Sequence, residues 1–244
     1  MTSSDLIGAI ILIAYYAVIC AVIPVLLKRT TRAPSEIIRK IQHVGYSLSV
    51  FLLLTLFSTW YAAIAAAALL VVVAWPALWA MEKFSWYRRS FVDRAARGGE
   101  LRSSMIQVQI AFSILIVIFW AWLGEDWKPI IGVAAMAWGF GDAAAALVGK
   151  AWGRRHVLNR FVDSAKTYEG TFAMMVFAGT ALFWSLRFYA DQSWWASLLI
   201  AILVAPISGV VELFSRRGTD TLTVPLFTAF SILPLIHMFA WLGW

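Results

Sequence analysis

The residues best suited to chemistry lie between Trp138 and Thr171, in the run W-G-F-G-D-A-A-A-A-L-V-G-K-A-W-G-R-R-H-V-L-N-R-F-V-D-S-A-K-T-Y-E-G-T. Asp142 stands inside an apolar segment long enough to cross a bilayer. An ionised carboxylate there costs roughly 2.5 to 3.5 kcal/mol on insertion scales, so such acids usually face a cavity and serve a function. Asp142 is therefore a candidate Mg2+ ligand or catalytic base, and a carboxylate neutralised by a basic neighbour is the structural alternative. It lies about six residues, or 9 Å, from the expected end of its helix, flanked by Gly139 and Gly141. Beyond it, Gly149, Lys150, Gly153, Arg154, Arg155 and Arg160 make a glycine-rich basic loop whose N–H groups and cations suit phosphate. Contact of its arginines with lipid headgroups explains them equally well.

Lys166 and Glu169 come next, three apart, and would share one face of a helix that Ser164 caps. A helix N-terminus attracts anions, so phosphate placed there would also meet Lys166; a plain surface ion pair is the alternative. Lys40 and His43, again three apart, close the run R-K-I-Q-H, where His43 suits a general base, a phosphate donor or a polar helix end. Glu212 ends a later apolar segment, and Asp220 opens D-T-L-T-V-P as either a helix cap or a second metal or ribose contact. His156 and His237 enter no candidate site, while Glu82, Asp93 and Glu100 sit among arginines as expected solvated ion pairs.

The elements that must position these groups are membrane helices. Of 244 residues 62% are hydrophobic and the mean hydropathy is +0.80, well above the roughly 45 to 50% apolar content of soluble domains. The fold class is all-α and polytopic, with about eight transmembrane helices at 6–27, 41–58, 60–81, 104–123, 129–148, 171–189, 194–214 and 222–242. The second and third segments almost touch, which predicts a tight hairpin near Thr59. No linker divides the chain, so residues 1–244 read as a single helical domain.

Charge orients it. Of 20 Lys and Arg, the first, third, fifth and seventh loops hold five, six, five and two, leaving only Lys128 and Arg187 on the other side. The positive-inside rule then puts both termini on the non-cytoplasmic side and the candidate site on the cytoplasmic side. The net charge of +7 thus points to anionic lipid and nucleotide phosphate rather than to nucleic acid. A lone Cys20 excludes intrachain disulfides and cysteine metal sites, and the absence of G-x-x-x-x-G-K-[ST] excludes a soluble P-loop kinase. The N-terminal apolar run lacks a basic leader and a cleavage site and reads as a retained helix. Trp194, Trp195, Trp241 and Trp244 suit an interfacial aromatic belt.

As an ordered set, G-D-A-A-A-A-L-V-G-K-x-x-G and K-T-Y-E-G-T resemble the shared core of dolichol kinases, phytol kinases and CDP-diacylglycerol synthases. R-K-I-Q-H and V-E-L-F-S-R-R-G-T-D-T-L-T-V-P are similar to the flanking motifs of the polyprenol and phytol kinase branch, so the resemblance spans Arg39 to Pro225. It implies phosphorylation of an isoprenoid alcohol (phytol, farnesol, geranylgeraniol or a polyprenol such as dolichol) by CTP or another nucleoside triphosphate, with Mg2+. In that reading Asp142 holds the metal, with Glu169 or Asp220 assisting, and His43 is the base. Lys40, Lys166, Gly149, Lys150, Gly153, Thr167, Glu169 and Gly170 contact the nucleotide. The chain departs from the family at Thr221, where Asn is usual, and carries Thr167 in place of the common Ser. Two other functions fit less of the pattern. Cytidylyl transfer from CTP to phosphatidate uses the same nucleotide and metal, and a proton- or cation-coupled transporter also hides an acid in a helix.

Overall fold

A computed structural model describes residues 3–31, 34–81, 100–216 and 218–243. Arg32, Glu82, Lys83, Arg88, Arg89, Asp93, Arg94, Arg97, Arg217 and Trp244 therefore lie outside the described residues. Each of the eight apolar segments is helical. We label them α1 (Ser3–Thr30), α2 (Ser35–Leu56), α3 (Trp60–Met81), α4 (Glu100–Leu115, continued by a wide turn at Ile116–Trp122), α5 (Lys128–Trp152), α6 (Tyr168–Phe188), α7 (Trp194–Phe214) and α8 (Asp220–Trp241). Among the described residues the single β pairing is an isolated antiparallel bridge between His156 and Thr167.

Among the described residues five helices are long and apolar enough to cross a membrane: α1, α5 with its leading turn (Glu125–Trp152), α6, α7 and α8. The apolar parts of α3 and α4, Trp60–Val73 and Ile106–Trp122, are shorter. Helix α2 has the length but carries Glu36, Arg39, Lys40, Gln42 and His43 in its first half. The hairpin between α2 and α3 turns over residues 57–59, where the spacing predicts it.

Three helix ends differ from the apolar pattern. Helix α5 continues to Trp152, so Gly149 and Lys150 are helical rather than part of a loop, and Asp142 lies ten residues, about 15 Å, from the helix end. Helix α6 starts at Tyr168 because Thr167, not Ser164, is its cap, accepting a hydrogen bond from the Gly170 N–H at 3.1 Å. Lys166 is consequently outside the helix and shares no helical face with Glu169. Asp220 is the first residue of α8 rather than its cap, which is Thr219.

Helix α5 is the axis of the bundle. Within its apolar window 78% of residues are buried, against 11% for α1, and it packs on α2, α6, α7 and α8. Small residues permit this: a side chain on Gly139 would collide with Ser47 of α2, and one on Gly141 with Met174 and Ala178 of α6. The core gathers Phe119, Ile131, Trp138, Met174, Leu182, Ile200 and Ile232 around that axis. A buried hydrogen bond of 2.8 Å between Ser208 and Thr228 ties α7 to α8.

Candidate active site

Because Gly139 lets α5 and α2 meet closely at Ser47, side chains one to two turns along the helices converge. Lys40 Nζ donates to Asp142 Oδ2 at 2.6 Å, and both side chains are buried, at 7% and 11% exposure. His43 Nε2 lies 2.9 Å from the same oxygen, off the line of a hydrogen bond, and has no other hydrogen-bonding partner among the described residues. The imidazole stands edge-on to Trp138, with ring centroids 4.3 Å apart, and the indole N–H of Trp138 is itself buried without an acceptor among those residues. The structural alternative for Asp142 is thus realised in part: the Lys40 ammonium pairs with it, and the His43 ring stands at the same oxygen. Nε2 faces the carboxylate, so Nδ1 is the ring nitrogen left to receive a proton.

A second pair stands beside the first. Lys166, held just before α6 by its backbone bonds to Asp163 and Val157, lies 2.9 Å from Glu212 Oε1 and also donates to the Glu212 carbonyl. Its partner is therefore the end of α7, not Glu169. Glu212 feels the charges of Asp142 and Asp220, and Asp220 feels those of Asp142, His43, Lys40 and Lys166. Five segments thus bring three carboxylates, two ammonium groups and one imidazole to a single end of the bundle. Glu212 is the residue that motif reading left without a role. The signal for it was present, since a carboxylate closing the apolar run V-V-E-L-F meets the same cost that singled out Asp142.

The remaining candidates are placed differently. Residues 153–167 fold back on the start of α6, with Val157 N–H bonded to Lys166 O, Tyr168 N–H to Arg155 O, and Arg155 N–H to Glu169 Oε2 at 3.3 Å. Glu169 is turned to that amide instead of to Asp142. Glycines 149, 153 and 170 have a packing reason: a Cβ on Gly149 would lie 3.1 Å from the Thr167 hydroxyl, one on Gly170 would lie 2.9 Å from Ala145 O, and one on Gly153 would run into Thr167 and the Gly149 carbonyl. Lys150 is 71% exposed and approaches Glu36 at 3.9 Å. Arg154, Arg155 and Glu169 line an open cleft of about 620 Å³ with Trp152, Tyr168 and Phe172.

No three His, Cys, Asp or Glu side chains form a metal cage among the described residues. Magnesium does not ask for one, since it takes one or two carboxylates and completes its shell with water and substrate phosphate. Asp142 and Asp220 fit that demand. Both basic contacts to Asp142 are made through Oδ2, and Asp220 adds a second carboxylate within electrostatic reach.

No protein-family model and no solved structure matches the chain. The phytol kinase of Synechocystis sp. is 33% identical to it over 223 residues, covering 89% of this chain and 86% of that protein. A buried acid, paired lysines and a histidine at one end of a helical bundle, together with likeness at that level along nearly the whole length, establish that this chain belongs to the phytol kinase family and phosphorylates an alcohol.

Proposed function

We propose that the chain is a CTP-dependent kinase of isoprenoid alcohols, phytol among them, working at the cytoplasmic face of a membrane that it crosses eight times. The observation that carries this reading is the buried constellation Lys40–His43–Asp142, with Lys166–Glu212 and Asp220 beside it, at the end of helices whose outer surfaces are apolar. Phosphoryl transfer needs positioning and charge neutralisation rather than covalent help, and two ammonium groups next to two or three acids supply both.

In the proposed reaction the alcohol oxygen forms a bond to the γ-phosphorus as the bond from that phosphorus to the β,γ-bridging oxygen breaks. CDP departs with the bonding electrons, and the hydroxyl proton passes to His43 Nδ1. Lys166 and Lys40 stabilise charge on the phosphate oxygens, Lys40 by shifting part of its interaction from Asp142. Magnesium held by Asp142 and Asp220 would neutralise the triphosphate. Arg154 and Arg155 of the 620 Å³ cleft are the proposed contacts for the remaining phosphates, and the family motifs add Lys150, Thr167 and Gly170 to that role.

The test is a transfer assay on purified protein in lipid with γ-labelled CTP, Mg2+ and a panel of prenols, with ATP and phosphatidate as alternatives. Label should enter a prenyl monophosphate and CDP should accumulate. Release of pyrophosphate with phosphatidate alone would replace this reading with CDP-lipid synthesis, and transfer from ATP in preference to CTP would overturn the donor.

A further inference from the structure

One groove on the outer surface is continuous with the site. It encloses about 320 Å³ between α1, α2 and α5 and is lined by apolar residues and Lys40. Its floor is a single ridge of α2, because Lys40, Val44 and Leu48 follow one another at four-residue intervals on one helical face. Ala143 and Leu147 of α5 form one wall, and Ala143 is the residue after Asp142. Lys40 lines the groove and its ammonium is bonded to Asp142, so the apolar groove ends beside the residues next to that carboxylate.

The other wall is α1, and polar contacts fix it in place although little of that helix is buried. The Tyr15 hydroxyl donates to Gly45 O at 2.8 Å, and the Gln42 amide reaches the carbonyls of Ile19 and Cys20 at 3.5 Å. Ile19 leans so closely over Gly45 that a Cβ there would lie 2.7 Å from its methyl group. Helices α1 and α2 thus pack closely at Gly45, and Leu48, one turn further along the groove, is 40% exposed. From Lys40 to Leu48 the helix advances eight residues, about 12 Å.

We propose that this groove holds the hydrocarbon tail of the alcohol substrate, with the hydroxyl at His43 and Asp142 and the chain running along α2 past Leu48 towards the middle of the bilayer. The inference rests on the isoprenoid alcohol kinase reading and adds to it the residues that set chain-length preference. Continuity selects this occupant over a membrane phospholipid: the groove reaches Lys40, which holds Asp142, and Ala143, the next residue after it.

The experiment compares wild type with Leu48→Trp, Leu48→Ala and an outward-facing control, Leu203→Trp on α7. For each, kcat/KM is measured over the prenols that wild type accepts. Leu48→Trp should lower the ratio of the longest to the shortest prenol at least tenfold with KM for CTP unchanged, Leu48→Ala should hold or raise it, and Leu203→Trp should leave it alone. A ratio unmoved by Leu48→Trp, or moved equally by Leu203→Trp, overturns the groove assignment. A diazirine-bearing prenol gives a readout that needs no turnover: it should label peptides containing Ile19 or Leu48, and excess phytol should compete where phosphatidylglycerol does not. Competition by phosphatidylglycerol would make the groove a lipid site. Failure of wild type to phosphorylate any prenol would overturn the functional reading, and the labelling experiment would still decide the groove.

Discussion

Replacing Lys40 with Met leaves the Asp142 carboxylate buried beside an apolar side chain of similar shape. Removing one partner of a buried pair costs about 3 to 5 kcal/mol, because the remaining charge keeps its desolvation penalty. At 2.6 Å and with side chains 7% and 11% exposed, Lys40–Asp142 belongs to that class. His43 stays 2.9 Å from the orphaned oxygen and supplies part of the lost compensation, which places the expected cost near the lower end, about 3 kcal/mol. For a chain of this size that corresponds to a fall in Tm of roughly 6 to 12 °C. In the double variant Lys40→Met, Asp142→Asn no charge is stranded, so most of the loss should return, giving a coupling of about 2 kcal/mol between the two sites. Thermal unfolding of protein in nanodiscs, followed by tryptophan fluorescence, reads this directly, since Trp138 stands against His43. Phosphoryl transfer should fail in the single and the double variant alike, which separates stability from catalysis. A single variant within about 0.5 kcal/mol of wild type, or a double variant as unstable as the sum of the singles, would refute the pairing as the reason Asp142 is tolerated.

Other consequences are equally direct. Gly139→Ala should destabilise by about 1 to 3 kcal/mol through collision with Ser47, and adding Ser47→Gly should restore much of it; no restoration would mean that α2 and α5 do not cross there. Asp220→Asn should raise the Mg2+ concentration for half-maximal activity at least tenfold, whereas Glu169→Gln, whose carboxylate is turned to the Arg155 amide, should leave it in place; the reverse order would reinstate Glu169 as the second ligand. His43→Gln should lower kcat by about 10² to 10⁴ without changing KM for CTP, and a change confined to KM would assign the ring to binding. With Cys20 replaced by Ser, single cysteines near Arg154 and near Lys128 should react with impermeant maleimide from opposite sides of sealed vesicles, and reaction from one side would break the eight-crossing topology.

Sequence carried much of this. Composition alone makes the chain a helical membrane protein, because no soluble core needs so many apolar residues, and the segment at 60–81 coincides with α3 at both ends. Asp142, Lys40, His43, Lys166 and Asp220 stand out in the sequence because charge inside or at the edge of an apolar run has a cost that only a partner or ligand removes, and the structure gathers them at one end of the bundle. Helix ends were less legible: Gly149 and Lys150 look like loop by hydropathy, yet backbone hydrogen bonding carries α5 past them to Trp152.

The identity of the partners was not legible. Lys40 and Asp142 are 102 residues apart and Lys166 and Glu212 are 46 apart; a basic neighbour for Asp142 was foreseen only as an alternative without a name, and both lysines were read chiefly as phosphate contacts. Hydropathy records how apolar a segment is, not how its helix is rotated or which neighbour it meets. That rotation is set by where small residues let backbones approach, at Gly139 against Ser47 and at Gly45 against Ile19, so only the packed bundle decides which charges pair and where an apolar channel leads into them.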